Sequence, residues 1–385
     1  MSPEPVRWHV CRHPWLALAA ACGVNGVPAV ASNGSAVPSS GTAAASAAST
    51  SSGPGALPLN GPGFPDGSVV LAGGRRFDYA RERGDAVFAA SGGDVFRIAI
   101  ATGAAETLAT FPGEATRGLV ATAQHVVVQV FPLDPSYASG VVVKSEGRLV
   151  AIPVGGGAPF DVLSPLPISS IVAAAAGAVF VTPDRPEVLR FDGPRLARSE
   201  SWPAVDKNAI VYDLVPLREG AAWVERDAAG SPPTPTVVAA TGGSAPRALA
   251  SLLSEGITAD DRTVYSWWID PPPDDSRRAA PRFSRKAQVV ALDGATGARR
   301  VLARGLDNPM SLLAGGGGDL CATIAGADFE STAVVAIPMS DGPVRTIATL
   351  PHGLNVARCI GVDAASFTVI LGFPGAVARI PARGP

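Results

Sequence analysis

The sequence predicts an all-β chain folded as a seven-bladed β-propeller of four-stranded blades, closed by an N-terminal outer strand. Three observations predict it: a composition suited to short strands and tight turns, a strand phrase that recurs seven times, and a spare N-terminal strand matching one missing at the C-terminal end.

Of 385 residues, 47% are hydrophobic and only 17% charged, and the chain holds 43 Gly and 36 Pro. That mixture favours many short strands joined by turns over long helices. The formal net charge of −2 gives no basic footprint for nucleic acid or an anionic membrane surface. No nucleic-acid partner is expected, and membrane association only through a lipid anchor.

Residues 1–31 read as a targeting segment, because Arg7 and Arg12 precede an apolar run over 15–21 that is too short to span a bilayer. Export to the envelope, the periplasm or the medium is the expectation. Two cleavage readings compete. Ala29-Val30-Ala31 before Ser32 has a small-x-small pattern, whereas Leu18-Ala19-Ala20-Ala21-Cys22 resembles a bacterial lipobox and would put a lipid on Cys22. Residues 32–62 are almost entirely Ser, Ala, Gly, Thr and Pro, a flexible linker with no apolar face to offset the entropy of ordering it. The folded part, 63–385, then holds two cysteines, Cys321 and Cys359.

Within 63–385 one phrase recurs about every 40 to 55 residues. An inner strand of small residues opens it, as in Gly118-Leu119-Val120-Ala121, Ile257-Thr258-Ala259-Asp260 and Ile360-Gly361-Val362-Asp363. A β-branched and aromatic second strand follows, over 87–88, 126–128, 179–181, 223–224, 264–265, 320–324 and 367–371. The third strand falls over 95–100, 149–154, 188–191, 237–240, 289–292, 334–337 and 377–380, and ends in Gly-rich turns such as Gly155-Gly156-Gly157. A short fourth strand closes each phrase, as at Thr107-Leu108, Val301-Leu302 and Ile347-Ala348. Gly and Ala are expected to dominate the inner strands, where sheets converge on an axis. The last phrase stops after its third strand, and the orphan 68–72 upstream of the first supplies the missing outer strand by pairing near Val377.

The inner-strand pattern followed by an aromatic strand, in 360–367 and 257–265, resembles the repeats of NHL-type and YWTD-type propellers and of exported bacterial propeller proteins. The resemblance covers residues 66–385 and implies the fold. The YWTD tetrapeptide itself is absent, Tyr265-Ser266-Trp267-Trp268 being its nearest echo, and seven blades depart from the commonest six-bladed forms. No ligand carries over from either family.

Motifs for chemistry are absent: there is no Gly-x-Ser-x-Gly, His-Glu-x-x-His, Cys-x-x-Cys or Walker sequence, and no catalytic residue or resident cofactor is assigned. The glycine run 315–318 reads as a turn. His125 reads as a polar strand-end residue. His352, between Pro351 and Gly353, is a candidate binding residue in a loop entering an inner strand. Glu114, Asp206, Asp307, Asn308 and Asn355 are candidates by the same position, while Asp260, Asp261 and Asp363 at the opposite rim read as turn caps. Loops between second and third strands share a face with loops entering the inner strands, and the long insertions, 131–146, 226–233 and 270–286, all fall there. The last of these offers Asp270, Arg277 and Arg278 as binding candidates. Cys321 and Cys359 sit near the interface of the sixth and seventh blades. A disulfide requires Cα atoms within roughly 7 Å, and free core cysteines are the competing reading.

Two functions stay open. The first is a non-catalytic envelope or secreted binding protein that takes a protein or glycan partner on the insertion face. The second is a metal-dependent hydrolase or lyase using a divalent cation at the channel mouth.

Overall fold

The computed structural model describes residues 57–58, 63–73, 76–134, 143–175, 177–182, 187–205, 209–227, 235–241, 243–251, 256–269, 286–326, 331–350, 357–372 and 375–382. The expected targeting segment with Cys22, and the expected linker apart from Leu57–Pro58, lie outside them.

Seven antiparallel sheets follow one another along the chain, six of four strands and one of five. Their innermost strands are Tyr79–Arg83, Glu114–Ala121, Ile171–Ala174, Ala209–Leu217, Ile257–Ala259, Pro309–Ala314 and Ala357–Val362. Each touches the next and the last touches the first, so they enclose an axial channel. This is the seven-bladed propeller that the repeat predicts.

Burial explains the phrase. Second strands such as His125–Pro132, Ala178–Thr182 and Ser366–Leu371 are buried on both faces, because each blade is sandwiched between two others. Their sequences therefore read as near-continuous apolar runs instead of alternating ones. Outer strands such as Ala197–Pro203 are exposed along most of their length. The core divides into seven apolar clusters, one at each blade interface.

Closure occurs in the seventh blade. Val69–Gly73 pairs antiparallel with Ala376–Pro381, with Val70 opposite Ala378 and Gly73 opposite Ala376. Beyond it Leu57–Pro58 adds a fifth strand, Leu57 opposite Val70. The linker expectation ran through these two residues. An outer strand leaves backbone donors and acceptors unpaired, and even a two-residue segment can answer them. Gly63 is held against blade six, where its carbonyl accepts a 2.9 Å bond from the Thr349 amide and a Cβ would lie 2.0 Å from the Thr349 oxygen.

Candidate functional site

Polar side chains on the inner and second strands stitch consecutive blades together. Thr116 Oγ1 donates to the Gly92 carbonyl (2.8 Å), and Gln129 Nε2 to the Ser170 carbonyl (2.8 Å). The Ile257 amide donates to Asp213 (2.8 Å), the Ala314 amide to Thr258 Oγ1 (3.0 Å) and the Cys359 amide to Ser311 Oγ (3.2 Å). A disulfide joins Cys321 in the second strand of blade six to Cys359 in the inner strand of blade seven, with Cα atoms 6.1 Å apart.

That frame holds a cluster of charge in the channel. The inner strands of blades two, four and seven are bulged between Thr116 and Gly118, between Val211 and Asp213, and between Cys359 and Gly361. Bulges re-aim side chains, and Arg117 occupies the first of them. At Gly118 a Cβ would lie 2.2 Å from Gln129 Oε1, so a larger residue beside the bulge would displace the Gln129 carboxamide. Arg81 of blade one, open to channel water yet enclosed by protein, is lowered from the usual arginine value by that enclosure and by Arg358 of blade seven, while Asp213 of blade four opposes. Blades one and four lie on opposite sides of the ring, so this interaction crosses the axis. Enclosure likewise raises the Tyr79 hydroxyl, against the pull of Arg117 and Arg358.

Asp213 is the carboxylate of this group. Its Oδ2 accepts from the Ile257 amide and its Oδ1 from the Leu214 amide at 2.9 Å. Burial nevertheless pushes it up to about 6, with those two amides and Arg81 resisting. The guanidinium groups of Arg81, Arg117 and Arg358 form no hydrogen bond or ion pair among the described residues. Elsewhere Arg97, Arg148, Arg190, Arg345 and Arg379 each sit on a carboxylate.

The inner strands thus depart from the expected Gly and Ala lining. Large side chains fit because they extend into the open channel instead of meeting across a closed axis. The signal was a charged residue inside an inner strand: a lone Asp at 213 and a lone Arg at 358 in otherwise uncharged segments, and Arg81 and Arg117 in strands that carry other charges.

The residues expected to bind fall elsewhere. Glu114 is gripped at both oxygens by Arg148 (2.6 and 2.8 Å), whose guanidinium also lies 5.9 Å from the centre of the Phe111 ring. Asp307 pairs with Lys286 at 2.5 Å. Asn308 occupies the left-handed corner into blade six, φ +27°, and donates to the Gly326 carbonyl at 3.2 Å. Asp206, Asp270, Arg277, Arg278, His352 and Asn355 lie outside the described residues. Among the described residues no three His, Cys, Asp or Glu side chains come close enough to share a metal ion.

At the opposite rim, Asp260 accepts from the amides of Arg262 (2.9 Å) and Thr263 (2.8 Å) and from the Tyr265 hydroxyl (2.6 Å). Asp363 caps the equivalent turn through the Ala365 and Ser366 amides, both 2.7 Å. His125 is buried edge-on to Phe160, ring centres 5.5 Å apart, beside a groove of about 350 Å³ shared with Gly177 and Pro194; burial lowers its basicity. Residues 315–318 form the inner turn of blade six, where Gly315 packs against Val362 so closely that a Cβ would lie 2.2 Å from it.

No family model matches this sequence, and no curated protein matches it. Solved structures do match in fold. An oligogalacturonate lyase in complex with manganese aligns with TM-score 0.57 at 11% identity, over 85% of this chain and 97% of that one. The β-propeller domain of the Trilobed protease from Pyrococcus furiosus, described as having an open velcro topology, aligns with TM-score 0.55 at 9% identity over 80% and 96%. The WD40 β-propeller domain of Doa1 aligns with TM-score 0.52 at 11% identity over 82% and 97%. At such identities the likeness is one of fold alone: the chain is a seven-bladed β-propeller.

Proposed function

We propose that the protein is a non-catalytic, exported binding protein whose insertion face receives a polypeptide partner at the cell envelope. One observation carries this reading. Among the described residues, the exposed large aliphatic side chains, Ile168 (41%), Val205 (53%) and Ile210 (56%), stand on that face. Ile168 and Val205 follow the outer strands Phe160–Pro167 and Ala197–Pro203, and Ile210 begins the inner strand of blade four. All three therefore stand at loops entering the inner strands of blades three and four. Aliphatic side chains left in water on one sector of one face suit an apolar polypeptide surface better than a glycan. The hydrolase or lyase alternative has less support, since Glu114 and Asp307 are already paired with cations.

The test replaces Ile168, Val205 and Ile210 together by Asp. Exposed positions tolerate this, so the melting temperature should hold, while polypeptides cross-linked to the wild-type face in an envelope extract should be lost. An unchanged set of cross-linked partners would overturn the reading, and capture of glycan alone would move it to the other partner class.

A further inference from the structure

We propose that the axial channel is a binding site for a small oxyanion of two negative charges, held by Arg81, Arg117 and Arg358 with the Tyr79 hydroxyl, and that Asp213 is a competing anion built into its wall. This goes beyond the docking reading and stands or falls without it.

Charge balance is the first ground. Arg358, Arg81 and Arg117 stand on the touching inner strands of blades seven, one and two, and set against Asp213 of blade four they leave a surplus of two positive charges in a chain whose formal net charge is −2. None of these three guanidinium groups hydrogen-bonds or pairs with a carboxylate among the described residues, whereas those of Arg97, Arg148, Arg190, Arg345 and Arg379 do. Like charges held together in an enclosed space repel, and an anion between them relieves the repulsion. Guanidinium forks suit carboxylate and phosphoryl oxygens because two parallel N–H bonds meet two oxygens.

Preorganisation is the second. The bulge at Arg117 is locked by Gly118 and Gln129, and Arg358 adjoins a cysteine fixed by a disulfide and by Ser311. Asp213 is anchored by two backbone amides and cannot swing across to satisfy the arginines itself. A site assembled before the ligand arrives loses little ordering entropy on binding.

Calorimetry on the full chain, at low ionic strength in a phosphate-free buffer, would use succinate and inorganic phosphate as probes and acetate as the monoanion control. At least one dianion should bind saturably and more tightly than acetate, and the tighter of the two identifies the ligand class. Arg81→Gln and Arg358→Gln should each weaken it roughly tenfold or more, as expected for a lost charge-assisted bond. Asp213→Asn should tighten it, a gain of affinity that a misfolded variant could not mimic. The triple Asp variant of the outer face should bind the dianion like the wild type, which separates this site from the docking surface. Absence of binding by both dianions, or binding indifferent to both Arg→Gln variants, would overturn the proposal.

Discussion

Asp213 and the rim aspartates show how one residue type is set to opposite tasks. At the rim, burial pushes Asp260 and Asp363 up, but turn amides, with Tyr265 or Arg379, outweigh it and leave both below the usual carboxylate range. Their contribution to stability is present above the unfolded value of 3.8 and is lost as pH falls through the lower folded values. Asp213 runs the other way. With a folded value of about 6 against 3.8 unfolded, its contribution is fully present below 3.8 and is lost as pH rises through 6. A gap of that size corresponds to on the order of 3 kcal/mol. Replacing Asp213 by Asn removes the descending arm, so the stability of the variant relative to wild type should climb by a few kcal/mol between pH 4 and pH 7 in urea denaturation. A difference that stays flat across that range would show that Asp213 titrates normally.

At the scale of elements, the seventh blade is the one assembled from both ends of the folded chain. Its third strand, Ala376–Pro381, would be an open edge without Val69–Gly73 beside it. Leu71 and Val377, neighbours at this joint, also belong to the cluster that packs blade seven on blade one, together with Phe77 and Ile360. Removal of residues through 74 therefore strips both a row of hydrogen bonds and a piece of core. Among the described residues, removal through 62 takes away the short Leu57–Pro58 pairing and leaves Phe64 in the cluster of blades six and seven. The shorter truncation should melt within a few degrees of the full chain, and the longer one should melt well below it or fail to fold. Equal melting temperatures would mean that this strand does not hold the ring.

The whole ring was legible in the sequence where burial imposes a pattern, and opaque where it does not. Val126, Val127 and Val128 are fully buried because blades press on both sides of their strand, and that pressure writes an apolar run that recurs blade after blade. The channel writes nothing comparable. Arg117 between Thr116 and Gly118 reads the same whether it faces the axis or the rim, and its companions come from blades one, four and seven, far apart in the chain. Glu114 and Asp307 were legible as carboxylates near the inner-strand entrances, but their partners Arg148 and Lys286 lie on the third strands of the same blades, which only the folded sheet brings close. The two cysteines were legible as neighbours across an interface, and their bond has a consequence for the entire molecule. It spans 38 residues and joins blades six and seven inside the cluster that also contains Ala376 and Ala378 of the closing blade. A cross-link of that length stabilises by about 2 to 4 kcal/mol, mainly by restricting the unfolded chain. Replacing Cys321 and Cys359 together by Ala should cost about that much, and the truncation through 74 should carry its own cost. If the ring opens first at its closing blade, both changes loosen the same sector, and the combined variant should lose less than the sum of the separate losses. Urea denaturation of the four proteins measures the coupling. Losses that add to within about 0.5 kcal/mol would place the first opening at another interface of the ring.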